Sequence, residues 1–290
     1  DADASFTQSV YTQQRGDVIE FTVELTNSDD AEVSIGTDAG QDGIGYGATF
    51  TVVDADDGGD DDDGQVTVRF NTRNAELDEA VAVADDDDSI TLDGGLSISG
   101  VSTVLDAGAY DVNVSASGEE DDVATLNLNE LSADGFSLYT APEVDTIQDA
   151  ENVSDIEAFK EAGNFSESSR VAFVDYLYHE LQVSGIGGMF TAAAGSDDAD
   201  TLKNVLTDSD SALNITIVET DASKSANSDG KELIDSRDSD ATPSNAELDA
   251  LADEFSEFHV IADGDNDTYY IGFPINLGDN TDSTDVEDGD

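Results

Sequence analysis

From Asp17 the chain alternates between apolar and polar side chains, with Ile19, Phe21, Val23 and Leu25 on one side and Glu20, Thr22 and Glu24 on the other. A two-residue period of this kind is the mark of a strand with one face in a core and one in solvent. The period returns at Val33 and Ile35, at Tyr46, Ala48, Phe50 and Val52, at Val66, Val68 and Phe70, at Tyr110, Val112 and Val114, and at Ala124, Leu126 and Leu128. Acidic or glycine-rich stretches, notably Asp54 to Gly64 and Asp85 to Gly95, separate these segments as turns and loops. Short alternating strands with no helical period between them predict a mainly β fold, an immunoglobulin-like antiparallel β-sandwich over residues 1–142.

Around Pro142 the strand rhythm is expected to stop, and Ser154 to Lys160 carries a helical pattern. Arg170 to Val183 predicts one long strand, with Val171, Phe173, Leu177, Leu181 and Val183 inward and Tyr176, Tyr178, Glu180 and Gln182 outward. Beyond it the pattern predicts a helix at Ala199 to Leu206, a strand at Leu213 to Val218, and a helix at Asn245 to Phe255 capped by Ser244. Strands Phe258 to Ile261 and Tyr269 to Leu277 are expected to form a hairpin around the acidic loop Asp263 to Asp267. Residues 143–277 therefore predict a second, β-rich α+β domain, and residues 278–290 an acidic tail or linker.

Charge changes the picture. Of 290 residues, 69 are Asp or Glu and 9 are Lys or Arg, a net charge of −60. Clustered cations to neutralise phosphates are missing, which argues against nucleic acid as a partner. No run of apolar residues is long enough to cross a bilayer as a helix, so direct membrane insertion is not expected. Self-repulsion on this scale destabilises a compact state in dilute buffer, but the Debye length shrinks to about 3 Å at 1 M salt. The composition is that of a halophile. There is no Cys, hence no disulfide or thiolate chemistry, and with Asp1 in place of an initiator Met the chain is expected to be a processed or trimmed one, by removal of a secretory signal or by excision from a longer polypeptide.

With so many carboxylates, a pair at catalytic spacing arises by crowding and identifies no acid and base. His179 and His259 lack metal-ligand spacing and are expected to sit on strand faces, paired with Tyr or Asp. Gly185, Gly187 and Gly188 follow a strand, but Phe190 stands where a dinucleotide loop needs its third glycine, which predicts a plain turn. Divalent cations are a stronger candidate, because Ca²⁺ or Mg²⁺ takes carboxylate oxygens from tight loops, although in a halophile such a loop is more often simply a solvated acidic turn. Asp54, Asp56, Asp57 and Asp60 form one such loop, and Asp263, Asp265 and Asp267 the other; the second departs from an EF-hand at Thr268 and Pro274. N-linked glycans have acceptor sequons at Asn113, Asn152, Asn164, Asn214 and Asn266.

Several stretches resemble the β-sandwich surface domain of haloarchaeal cell-surface glycoproteins, including S-layer glycoproteins. They are Gly16-Asp17-Val18, Val33-Ser34-Ile35-Gly36, the run Gly64 to Thr72, the run Leu105 to Val112, and Asp122 to Leu126. The second half is similar to the domain that follows in those proteins, through Val183 to Gly188 and Asp267 to Phe273. The resemblance implies a secreted, non-enzymatic, often glycosylated structural protein whose domains associate through carboxylate-rich, cation-bridged interfaces. Without a threonine-rich stalk, carboxyl-terminal anchor or sorting motif in this sequence, the chain is expected to be part of something longer or a subunit that reaches the surface by assembling with itself, as a homo-oligomer, lattice or filament. The segment Ser5 to Gln14 is expected either to be exchanged or docked between copies or to form the first strand of its own domain. The alternative function is a monomeric adhesin or ligand-binding module presenting Tyr176, Tyr178, Tyr269 and Tyr270 as an exposed aromatic set.

Overall fold

The computed structural model describes residues 2–36, 46–54, 64–73, 80–92, 104–142, 150, 152–168, 175–196, 198–207, 213, 216–219, 231–235 and 259–274. The chain forms two compact units. One comprises Asp1–Ser132 with Gly187–Ala192, the other Ala133–Ile186 with Ala193–Asp290.

The alternating segments of the first unit become strands with the expected faces inward. They are β1 (Asp3–Phe6), β2 (Val10–Gln14), β3 (Val18–Thr26), β4 (Asp30–Gly36), β5 (Gly47–Val53), β6 (Gln65–Asn71), β7 (Val81–Val83), β8 (Ser89–Thr91), β9 (Gly108–Ser115) and β10 (Asp122–Asn129). Among the described residues one sheet has the order β1-β3-β6-β7 and the other β2-β10-β9-β4-β5-β8. Every pairing is antiparallel except β2 with β10. Ile19, Phe21 and Val23 from one sheet and Val33, Phe50, Val112 and Leu126 from the other, each at most 3% exposed, share a single core. This is the predicted sandwich. Tyr110 Oη donates to the Asp106 carbonyl at 2.7 Å, tying β9 to the turn before it. β8 arises within the stretch Asp85 to Gly95, which the sequence pattern assigned to a loop: Ile90 pairs with Val52 and adds to the core edge.

The segment Ser5 to Gln14 stays in its own unit. Its first half pairs with β3 and its second half crosses to the other sheet to lie beside β10. The glycines after residue 184 form a turn, as expected, but a six-residue helix, α2 (Gly187–Ala192), follows them. Their backbone is already occupied: Gly187 N donates to Asp17 Oδ1 at 2.7 Å, Gly188 N to the Gly16 carbonyl at 2.9 Å, and Asn71 Nδ2 to the Gly188 carbonyl at 2.8 Å. The amides of Gly187 and Gly188 are therefore not free to take a phosphate.

In the second unit the strands are β11 (Ala133–Ala141), β12 (Ser166–Glu167), β13 (Tyr176–Val183), β14 (Thr216–Glu219), β15 (Lys231–Asp235), β16 (His259–Asp263) and β17 (Thr268–Pro274); the helices are α1 (Val153–Ala162) and α3 (Asp198–Thr207). Here β11 differs from the sequence expectation of a boundary near Pro142: it pairs with β13 over its length, so it is a strand of the second unit. The described sheet has the order β12-β11-β13-β17-β16, with β14 and β15 as a separate hairpin. The β16–β17 hairpin forms as the pattern predicted. The predicted helix Asn245 to Phe255, residues 170–174 of the predicted long strand, and the tail 278–290 lie outside the described residues.

The larger correction concerns which way β13 faces. Tyr176, Tyr178 and Glu180, assigned outward by the pattern, are buried, whereas Leu177 and Leu181 are only partly so. Tyr176, Tyr178 and Tyr270 pack with Ile156 of α1, Phe165 and Ile261 into the second core. On β17 the consecutive residues Tyr269, Tyr270 and Ile271 are each at most 1% exposed, so both faces of that strand are covered.

Candidate cation and glycan sites

Of the first acidic loop, Asp54 is described, and it turns inward. Its Oδ2 accepts from Gly64 N at 3.0 Å while its own N–H donates to the Asp29 carbonyl at 2.9 Å, so the side chain clasps the ends of β5 and β6 together. Asp56, Asp57 and Asp60 lie outside the described residues.

The second loop is a single 3-10 turn, Gly264–Asn266, between β16 and β17. Asp263 caps it: Oδ1 accepts from Asn266 N at 3.1 Å and Oδ2 from Asn266 Nδ2 at 2.9 Å. Asp267 closes the turn with φ of 53°, a left-handed conformation that Asp tolerates better than most residues. Its Oδ1 is buried with no hydrogen-bond partner among the described residues. Burial, with added repulsion from Asp134 and Asp263, holds the Asp267 carboxyl above the usual carboxylate range. Asp134 enters from β11, a residue that spacing along the sequence gave no reason to associate with this loop. Among the described residues no group of three or more His, Asp or Glu side chains is arranged to hold a metal ion. The side chain of Asp265 is outside the described set.

A carboxyl whose folded pKa is raised contributes stability below its unfolded value near 3.8 and loses that contribution as pH rises through the folded value. At neutral pH the Asp267 charge is therefore a net cost. Asp267→Asn is expected to raise the melting temperature at pH 7 in chelator, and the gain to shrink as pH falls toward 4. The side chain is only partly buried and brine screens it, so the gain stays below about 1 kcal/mol. A lower melting temperature for the variant in chelator would contradict this account.

The sequons occupy different settings. Asn113 lies on the central strand β9, half-buried, opposite Ser34 and Val123. Asn152 is exposed and N-caps α1, its Oδ1 accepting from Asp155 N at 3.2 Å, within a capping box completed by the Asp155 carboxylate. The cap uses the oxygen, which leaves Nδ2, the atom a glycan modifies, outside that bond. Asn164 is exposed just past the Gly163 C-cap. Asn266 is exposed, but its Nδ2 already donates to Asp263. Asn214 is outside the described residues.

Both histidines sit on strands, as expected. His259 is buried, its Nε2 2.6 Å from the Ala150 carbonyl and its Nδ1 3.2 Å from Tyr178 Oη. A carbonyl only accepts, so Nε2 carries the proton and Nδ1 accepts from the tyrosine. His179 stacks on Phe136, and burial pushes its pKa down.

Residues 1–118 match a family described as a domain of unknown function, DUF7827. The cell surface glycoprotein of Haloferax gibbonsii is 31% identical over 95% of this chain and 27% of its own length. The chain is a homologue of haloarchaeal cell surface glycoproteins. Cell surface glycoproteins 1 and 2 of Haloarcula hispanica are each 31% identical over 93% of this chain and 29% of theirs. The chain thus spans under a third of the length of these relatives. The similarity makes it a surface protein, extracellular or at the cell surface. Among solved structures, a marsupial T cell receptor aligns over 62% of this chain and 68% of that chain at 12% identity, with a TM-score of 0.22. At that score the sandwich assignment rests on the strand pairings themselves.

Proposed function

We propose that the chain is a structural part of a cell-surface assembly, working by association with copies of itself and not by catalysis. The observation that carries this reading is that similarity to surface glycoproteins runs through both units and not through one of them. The aromatic set that favoured a ligand-binding module is buried: Tyr176, Tyr178 and Tyr269 are 0% exposed and Tyr270 1%, which removes its main support. The acidic loops supply the cation dependence in this reading. Ca²⁺ or Mg²⁺ between carboxylates of neighbouring copies offsets repulsion that monovalent brine only screens. N-glycans on Asn152 and Asn164, both exposed, complete the surface.

The test is light scattering with negative-stain microscopy in multimolar salt, with divalent cations and then with chelator. Ordered assemblies that shrink on chelation are expected. Assemblies indifferent to chelator would remove the cation bridge, and a monodisperse monomer in every condition would overturn self-association.

A further inference from the structure

We propose that β2 is a pairing edge, and that its occupant is the β2 of a second copy, run antiparallel about a two-fold axis at Tyr11. This deepens the self-association reading and rests on it.

The donors and acceptors of β2 set the geometry. Thr125 N donates to the Ser9 carbonyl and Arg15 N to the Asn129 carbonyl, each bond crossing between β10 and β2. With the parallel register Thr125↔Val10 through Asn129↔Gln14, these two bonds fix the alternation: Tyr11 and Gln13 turn their backbone groups toward β10, and Val10, Thr12 and Gln14 turn theirs to the open edge. The ends of that edge are already closed. Gln14 N donates to Gln13 Oε1 at 3.0 Å, the Gln14 carbonyl accepts from Asp17 N, and Gln8 N donates to Tyr11 Oη at 3.1 Å. Val10 and Thr12 remain, one N–H and one carbonyl each, with no partner among the described residues.

Two such residues flanking a central one are self-complementary. With Tyr11 opposite its symmetry mate, Val10 of each copy faces Thr12 of the other, and each facing pair exchanges two hydrogen bonds. The side chains agree with this register. Val10 is 53% exposed, so facing Thr12 of the second copy covers apolar surface that the isolated unit leaves in water.

Charge selects this edge over the others. From Ser5 to Gly16 the only charged residue is Arg15, in a chain of net charge −60. Of the remaining described edge strands, β1 carries Asp3, β16 ends in Asp263, β12 contains Glu167, and β14 and β15 carry Glu219, Lys231, Glu232 and Asp235. β7 and β8 are three residues long and border the run Asp85 to Asp88. Charged and very short edges are how proteins prevent edge pairing, and β2 has neither protection.

The test is sedimentation equilibrium of the whole chain in multimolar NaCl with chelator, extended to high protein concentration because one strand edge makes a contact of the transient class. The β2 contact contains no carboxylate, so a chelator-resistant dimer is expected. Thr12→Pro deletes an outward N–H that β2 does not use in its own sheet, and on the dimer it removes two of the four bonds; pairing is expected to weaken about thirtyfold with the melting temperature unchanged. Val10→Cys with Thr12→Cys gives an independent readout in a chain that has no cysteine of its own. Facing residues in this register have Cα atoms about 5.5 Å apart, so mild oxidation yields a covalent dimer. If Thr12→Pro pairs as tightly as the wild type and the double cysteine stays monomeric, the edge is wrong while self-association stands. A wild-type chain that never associates overturns both.

Discussion

Replacing Lys160 by methionine is expected to destabilise the second unit by about 3–5 kcal/mol, measured as the loss in denaturant midpoint in high salt. Lys160 reaches from α1 into a cage of opposite charge and aromatic faces. Its Nζ lies 3.3 Å from Glu180 Oε2, 2.9 Å from Glu157 Oε1 and 2.7 Å from Tyr270 Oη, and 4.7 and 4.9 Å from the ring centres of Tyr139 and Tyr270. The Glu180 side chain is 9% exposed. Without the ammonium it is a buried, uncompensated charge in a molecule already far too negative. Because Glu180 is buried, multimolar salt does not replace its partner, whereas it does erase an exposed pair such as Arg69 with Glu20, where both side chains are 51% exposed. Adding Glu180→Gln to Lys160→Met is expected to recover much of the loss. A loss below about 1 kcal/mol for the single variant would show that water or salt reaches the site.

The same cage makes the unit alkali-labile. Burial, the largest influence, pushes the Lys160 pKa down, but hydrogen bonds to Tyr270 and Glu157 and the charges of Tyr270 and Glu180 together lift it above its ordinary value. Burial chiefly raises the Tyr270 hydroxyl to about 12, against the lowering pull of Lys160. Both groups are raised, so both contribute stability that is complete below their unfolded values of 10.5 and 10.0 and is lost as pH rises through the folded ones. Tyrosinate absorbance during an alkaline titration should therefore rise together with unfolding above about pH 10.

Gly272→Ala is the second large effect, at about 3 kcal/mol. Gly272 sits on β17 directly opposite Tyr178 on β13 and His259 on β16. A Cβ there would stand 2.2 Å from Tyr178 Cε1 and 2.6 Å from Cδ1 and Cζ. The ring lies across the bare glycine, 0% exposed, and has nowhere to retreat, so a methyl group overpacks the core and pulls Tyr178 Oη from His259. The diagnostic is epistasis: Tyr178→Leu alone is destabilising, yet in the Gly272→Ala background it should restore stability by removing the clashing ring. Simple additivity of the two variants in thermal unfolding would refute the contact.

The two units differ in how far their strands could be read. In the first, Ile19, Phe21, Val23 and Leu25 face one core and Glu20 and Glu24 face brine, so the pattern gives both the strand and its direction. The same logic misjudged β13, and for a physical reason. Its sheet is covered on both faces, as Tyr269, Tyr270 and Ile271 show, so apolar residues occur at both parities and the period loses its phase. Tyrosine and glutamate then read as solvent-facing, because the partners that satisfy them are distant: Tyr178 is 81 residues from His259, and Glu180 is 20 residues from Lys160 on another element. Asp134 beside Asp267 belongs to the same class of fact, being brought to the loop by strand order.

By itself, then, the sequence determined the halophilic surface through composition, the strands of the first sandwich and their inward faces through the two-residue period, the hairpin around Asp263 to Asp267 through contacts close along the chain, and the kinship with surface glycoproteins through the stretches that resemble them. Only the tertiary structure decided that the tyrosines are core and not a binding face, that one lysine neutralises a buried glutamate, and that β2 ends its sheet with two residues unpaired among the described residues. Those depend on which strands become neighbours, and hydrogen bonds and buried charges are settled by neighbours in space.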